Sequence, residues 1–240
     1  MALYAMSDLH LSLSADKPMD IFGSAWHNYM ERIYDNWCSR ITSDDLVIVG
    51  GDISWAMYLE EAIEDFKFLD ALPGHKLLVR GNHDYWWESL SKLKAFSAAH
   101  GFDSVSFLQN DAFVWQGSVI AGTRGWIVPS SDSFSASDRK IYERELIRLE
   151  LSLKAAQRLA ESDLSVTRRI AVLHYPPIGA HGEVDPSVAK LLEKYGVSLC
   201  LYGHLHGPAC ADSFSGKSGA VSYALVSADH LAFIPCNLDL

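Results

Sequence analysis

Short apolar runs alternate with amphipathic stretches from the first residues to beyond position 200, which is the pattern of an α/β chain. The runs Ala2–Met6, Leu46–Val49, Lys76–Val79, Val119–Ala121, Ile170–Leu173 and Ser198–Leu201 are mostly rich in Val, Ile or Leu and predict buried strands. Between the first two, Trp26, Met30, Ile33, Trp37 and Ile41 recur at spacings of three and four and predict a helix with one apolar face. Leu59, Ala62, Ile63, Phe66 and Leu69 predict a second helix, stopped by Pro73-Gly74. Trp86 to Ala99 reads as a third, ending at Gly101, and Ser137 to about Glu161 as a long charged one. Asp185-Pro186 supplies an N-cap and a first-turn proline for a short helix ending at Tyr195-Gly196.

Two regions break the alternation. Across Ser104–Gly122, the turn dipeptides Asn110-Asp111 and Gln116-Gly117 separate short aromatic and β-branched runs, which predicts hairpins. Ala220–Val226 and His230–Pro235 predict another pair across Ala228-Asp229. Parallel units plus hairpins imply mixed sheets between layers of helices. With no repeat, low-complexity tract or linker, the 240 residues read as a single domain, 1–240, with the segment around 137–163 as a helical decoration.

Composition narrows the function. Hydrophobic residues make up 49% of the chain, enough for a substantial core and too many for a disordered protein. The 20 Lys and Arg stand against 30 Asp and Glu, a net charge of −10, without a basic stripe; extended nucleic acid is not an expected partner. Phosphate chemistry would need positive charge supplied locally. The sequence shows neither a signal-peptide pattern nor an apolar run of membrane-span length, and the expectation is a soluble, cytoplasmic protein without a membrane span. Cys38, Cys200, Cys210 and Cys236 are widely spaced and read as buried free thiols.

The chemistry lies at the C-terminal ends of the strands, where open α/β sheets place their sites. Five strand ends lead into Asp8-Leu9-His10, Gly50-Gly51-Asp52, Arg80-Gly81-Asn82-His83-Asp84, His174-Tyr175-Pro176-Pro177 and Gly203-His204-Leu205-His206. A single His, or an Asp at a turn, is usually structural. Five such elements, each directly after an apolar run, point to a metal site. Asp8, His10, Asp52, Asn82, His174, His204 and His206 offer imidazole, carboxylate and amide donors without thiolate, a set that suits Mn, Fe or Zn, and seven ligands are enough for two ions sharing a carboxylate.

The ordered series Asp-x-His, Gly-Asp, Gly-Asn-His-Asp, His and Gly-His-x-His, spanning residues 8 to 206, resembles the calcineurin-like metallophosphoesterases. The resemblance implies a four-layer α/β/β/α sandwich with two mixed sheets and a dinuclear metal centre. Asp8, His10 and His206 would hold the first ion, Asn82, His174 and His204 the second, and Asp52 would bridge them. It implies further that His83 is the catalytic residue near the leaving group, oriented by Asp84, and that two divalent or mixed-valence ions are bound.

The expected reaction is hydrolysis of a phosphate mono- or diester by a hydroxide bridging the two ions, whose charge exceeds that of the Asp8 and Asp52 carboxylates. The chain departs from the family pattern at Trp55, where many members carry Asp three residues after the Gly-Asp aspartate. Members that cleave lipid-precursor pyrophosphates usually have Arg in place of His83, which argues against that branch.

A small phosphorylated substrate is the expected partner, with a phosphoprotein as a second class. Arg124 is a candidate phosphate ligand, and Trp55, Trp86, Trp87 and Trp126 lie near motif loops, where they could stack on a flat group or pack the core. His181 is a candidate for lining the cleft. The alternative from another class is a non-catalytic scaffold or binding protein on the same fold.

Overall fold

The structure, a computed structural model, describes residues 1–15, 17 and 19–239. In chain order its strands are β1 (Leu3–Met6), β2 (Leu46–Val49), β3 (His75–Val79), β4 (Val105–Leu108), β5 (Ala112–Trp115), β6 (Ser118–Thr123), β7 (Arg168–Leu173), β8 (Leu199–Tyr202), β9 (Gly216–Ser218), β10 (Val221–Leu225) and β11 (Cys236–Asn237). The helices are α1 (Tyr29–Cys38), α2 (Ile63–Ala71), α3 (Leu90–His100), α4 (Ala136–Ser162) and α5 (Pro186–Lys194). The chain forms an α/β fold with two mixed sheets and divides into two compact units, residues 1–107 with 226–240, and residues 108–225.

The first unit carries the sheet β11-β1-β2-β3-β4. Strands β1, β2 and β3 run parallel, with Leu3 opposite Leu46 and Leu46 opposite His75, and β11 closes the edge antiparallel to β1. Met6, Val47, Val49 and Leu78 bury one face of this sheet against Ile33 and Trp37 of α1, Phe66 and Leu69 of α2, and Leu93 and Phe96 of α3. The expected first helix is shorter than its periodicity suggests: Asn28 takes a left-handed φ of 51° and separates the short turn bearing Trp26 from α1. Trp86 and Trp87 are buried in the core before α3 begins, and Gly101, with φ 71°, ends that helix as expected.

The second unit carries β5-β6-β7-β8-β10-β9. Strands β6, β7, β8 and β10 are parallel neighbours, and antiparallel β5 and β9 cover the two edges. Helix α4, 27 residues long, opens with a capping box between Ser135 and Asp138, and it buries Leu149, Leu153 and Ala156 with Val119 and Ala121 of β6. Asp185 caps α5 by accepting the Ser187 and Val188 N–H groups.

One expected hairpin forms and two do not. Gln116-Gly117 joins β5 to β6 as expected. At Asn110-Asp111 the chain leaves one sheet for the other, because β4 lies beside β3. The C-terminal hairpin lies earlier than expected: β9 pairs with β10 across Gly219, whose φ of 59° suits the tight turn, while residues 228–233 form a turn that buries Phe233 and residues 230–235 make no strand. Among the described residues no helix is long and apolar enough to cross a membrane.

Candidate metal centre and active site

In the first unit three strand ends meet, the first two through their backbones and the third through the Asp52 and Asp84 carboxylates. After β1, the Asp8–Leu11 segment runs beside the segment after β2: Asp8 N–H donates to Gly51 O at 2.8 Å, His10 N–H to Asp52 O at 2.9 Å and Leu11 N–H to Ile53 O at 2.9 Å. Asp8 and Asp52 are buried, and both are held by local donors. The Ser7 and Ser227 hydroxyls donate to Asp8 Oδ2, the latter at 3.1 Å, and His83 N–H donates to Asp52 Oδ1 at 2.8 Å. Asp8 and His10 offer ligand atoms within 4.8 Å of each other, and His10 Nε2 lies 3.9 Å from Asp52 Oδ2.

Asp84 is the hub of this arrangement. Its buried carboxylate accepts Gly81 N–H at 2.7 Å, Ile53 N–H at 2.8 Å, Asp52 N–H at 3.0 Å, Ser54 N–H at 3.3 Å and the Trp86 indole N–H at 3.2 Å. It therefore fixes the backbone on which Asp52, Asn82 and His83 are mounted. A Cβ on Gly81 would collide with the Asp52 carboxylate and amide, so glycine is required where the two loops touch.

An aromatic cluster surrounds the imidazoles. Trp55 stacks on His10 with centroids 4.9 Å apart and planes 23° from parallel, and lies 4.5 Å from His83; Trp26 meets His10 edge-on at 5.8 Å. The Trp55 indole N–H donates to Met19 Sδ at 3.3 Å, and the Lys17 ammonium lies 5.5 Å from the ring centroid. Trp55 thus gives the His10 imidazole a flat apolar support.

In the second unit β7 delivers the fully buried His174, and β8 delivers His204 and His206. His174 N–H and Tyr175 N–H both donate to Arg124 O, at 3.0 and 2.9 Å, and Gly203 N–H donates to His174 O at 3.1 Å. The rings of His174 and His204 lie 5.2 Å apart with ligand atoms within 4.8 Å, and Tyr175 packs 4.2 Å from His204. His206 precedes the short turn Gly207–Asp212.

The donor set tests well against a metal. Asp8, His10, Asp52 and His204 all adopt positive φ, at 61°, 47°, 51° and 73°. Each such conformation costs about 1–3 kcal/mol and persists only where the surroundings enforce it, commonly at ligand clamps. Buried carboxylates and imidazoles at strained strand ends, free of thiolate, fit hard-to-borderline divalent ions. The family model for calcineurin-like phosphoesterases matches residues 1–208.

The chain belongs to this family. Calcineurin-like phosphoesterases are metal-dependent phosphoester hydrolases with a dinuclear divalent centre, and this chain is a metallophosphoesterase. No curated protein matches it. Its fold resembles that of a protein of unknown function from Aquifex aeolicus, with 19% identity and a TM-score of 0.52 over 98% of this chain and 95% of that one. The protein TT1561 of Thermus thermophilus is 16% identical with a TM-score of 0.55, over 93% and 87% of the two chains. The phosphopantetheinyl hydrolase of Mycobacterium tuberculosis is 15% identical with a TM-score of 0.50, over 94% and 88%.

Other expected residues take quieter places. The Arg124 guanidinium lies 3.5 Å from Glu145 Oε1 and 4.6 Å from the Trp126 ring centroid. The buried Glu145 also accepts Thr123 Oγ1–H at 2.7 Å and Arg148 Nη1–H at 2.6 Å. The Trp126 indole N–H donates to Asp138 at 2.9 Å. His181 is exposed, with its backbone N–H on Glu183 at 3.1 Å. None of the four cysteines forms a disulfide, and Cys200 is fully buried while Cys38 is exposed; burial pushes the Cys200 thiol up.

Sequence reasoning missed Asp65 and Ser227. Asp65 is fully buried, accepting the Ser54 hydroxyl and, at 2.9 Å, Leu13 N–H; burial raises its pKa above the usual carboxylate value. An acid beside Phe66 in an apolar helix was its available signal. Ser227 reaches Asp8 from far along the chain, and nothing in its local sequence marks it.

Proposed function

We propose that this metallophosphoesterase hydrolyses a small phosphate mono- or diester in the cytoplasm. Asp8, His10 and His206 would hold one ion, Asn82, His174 and His204 the other, and Asp52 both, with Mn or Fe the preferred metals and Zn a third. The bound pair supplies a water of lowered pKa and positive charge for the phosphoryl oxygens. His83, restrained beside Trp55, donates a proton to the departing alkoxide, and Asp84 keeps its backbone in place. Arg124 would add a guanidinium toward the phosphate if it releases Glu145.

The observation that carries this reading is the enforced positive φ at four of the seven proposed ligands. The acidic charge supports a small substrate over extended nucleic acid. One structural neighbour is a phosphopantetheinyl hydrolase, so a phosphopantetheine ester belongs in the substrate panel beside a phosphopeptide.

The test is hydrolysis of aryl phosphate monoester and diester by protein stripped of metal and reloaded with Mn. Turnover should require Mn, and Asp52→Asn should abolish it; His83→Ala should lower it by about 10²–10⁴-fold, the usual worth of a positioned general acid. Normal turnover by folded, metal-loaded His83→Ala would remove His83 from its role. Failure to bind metal or to turn over any ester in the panel would favour the scaffold reading.

A further inference from the structure

A cavity of about 400 Å³ opens beside His204 within the second unit. It falls in the range of about 300–1,000 Å³ typical of small-ligand sites. Ile127, Ile178 and Leu205 give it apolar walls, and Ser131 and Ser133 line it as well. Its walls are tied together: Ala180 N–H donates to Ser130 O at 3.2 Å, Gly179 N–H donates to Glu183 O at 2.8 Å, and Ile178 bridges Val184. A Cβ on Gly179 would displace the Glu183 carboxylate and the Ser130 hydroxyl, so glycine lets these two side chains approach the wall closely.

The charge of the cavity is one-sided. Among the described residues its lining includes Asp132 and Asp212 but no Lys or Arg, with His204 as the imidazole. An enzyme that bound a polyphosphate, a nucleotide chain or a carboxylated alcohol in the part of the cavity away from His204 would place negative charge against those two acids, with no lining Lys or Arg to offset it. Like-charge juxtaposition of this kind selects against a ligand as effectively as a contact selects for one.

We infer that this cavity receives the alcohol portion of the ester, and that the alcohol is uncharged or cationic and partly apolar, never anionic. The inference rests on the proposed phosphoesterase site, since His204 joins the two: the phosphoryl group is the anionic end of the substrate, and the acidic, apolar cavity takes the other. It narrows the substrate to phosphate esters of neutral or amino-bearing alcohols.

Binding separates this idea from catalysis. Alkylphosphonic acids with a six-carbon chain ending in trimethylammonium, carboxamide or carboxylate are non-hydrolysable probes, titrated calorimetrically into Mn-loaded protein at low salt. The cationic and neutral probes should bind about fivefold to tenfold more tightly than the carboxylate, the scale of two partly screened charges. In Asp132→Lys/Asp212→Lys, two exposed positions, that order should invert between the carboxylate and trimethylammonium probes. Equal affinities, a preference for the carboxylate, an unchanged order in the double variant, or no binding of any probe would each overturn the inference. Aryl phosphate hydrolysis, assayed separately, tells the two apart: the expected order without turnover sinks the hydrolase reading alone, and turnover without the order sinks the cavity assignment alone.

Discussion

Asp84→Asn isolates the work of one carboxylate. In the wild type Oδ1 accepts from Ile53 N–H, Ser54 N–H and the Trp86 indole, and Oδ2 accepts from Asp52 N–H and Gly81 N–H. Asparagine keeps one acceptor and turns the other into an NH₂ donor. Whichever way the amide flips, at least two buried N–H groups face a donor, at about 1–3 kcal/mol each, and the remaining bonds lose their charge assistance. Partial relaxation leaves an expected loss of about 3–5 kcal/mol, a large share of the roughly 5–15 kcal/mol that holds a typical domain together. Urea unfolding of metal-free protein is the right assay, because bound metal would add its own linkage. The midpoint should fall sharply with little change in m. A loss below about 1 kcal/mol would show that these N–H groups have other acceptors and that Asp84 is not the hub.

Two further changes test other parts of the first unit. Lys76 is buried with its ammonium on Leu72 O and Gly74 O at 2.7 and 2.8 Å, and burial pulls its pKa down to about 8. The unfolded chain then holds more protons than the folded one above pH 8, so stability should rise between about pH 8 and pH 10.5, by on the order of 2 kcal/mol. Denaturant midpoints across that window should show a slope that Lys76→Met removes, and an identical slope in the variant would refute the assignment. Trp55→Ala strips the stacked face from His10; Mn affinity should fall about tenfold or more, the usual effect of losing a ligand's outer support. An unchanged Mn titration would show that the stacking leaves the ligand's orientation untouched.

The strands and the strand-end loops that carry the proposed ligands were legible because both depend on local pattern. A run such as Leu46–Val49 is buried at every position, and the Gly-Asp that follows must turn as soon as the strand ends. Element boundaries were less legible. The apolar period from Trp26 to Ile41 continues through Asn28, but a single left-handed residue there breaks the helix without disturbing the apolar face. The C-terminal segment misled because His230–Pro235 alternates like a strand, while Phe233 is buried through a turn at positive φ. Ser227 was invisible for a different reason: its importance lies in the distant Asp8 it reaches, and neither residue type nor spacing encodes that, whereas Asp65 was marked by its place on an apolar helix face but not by its partner.

Trp55 shows how the legible and illegible parts combine. The sequence marks it as a departure from an acidic family position, which by itself suggests a weakened support. The structure shows what supports this loop. Ser54, its neighbour, gives its hydroxyl to the buried Asp65 and its N–H to Asp84, so the carboxylates of the region act on the backbone of this loop. Trp55 in turn shields the His10 and His83 imidazoles with an apolar ring. A neutral wall against a ligand imidazole leaves fewer negative charges beside the proposed ions than an added carboxylate would, and so more net positive charge for a phosphoryl group in a chain whose overall charge of −10 would otherwise repel it.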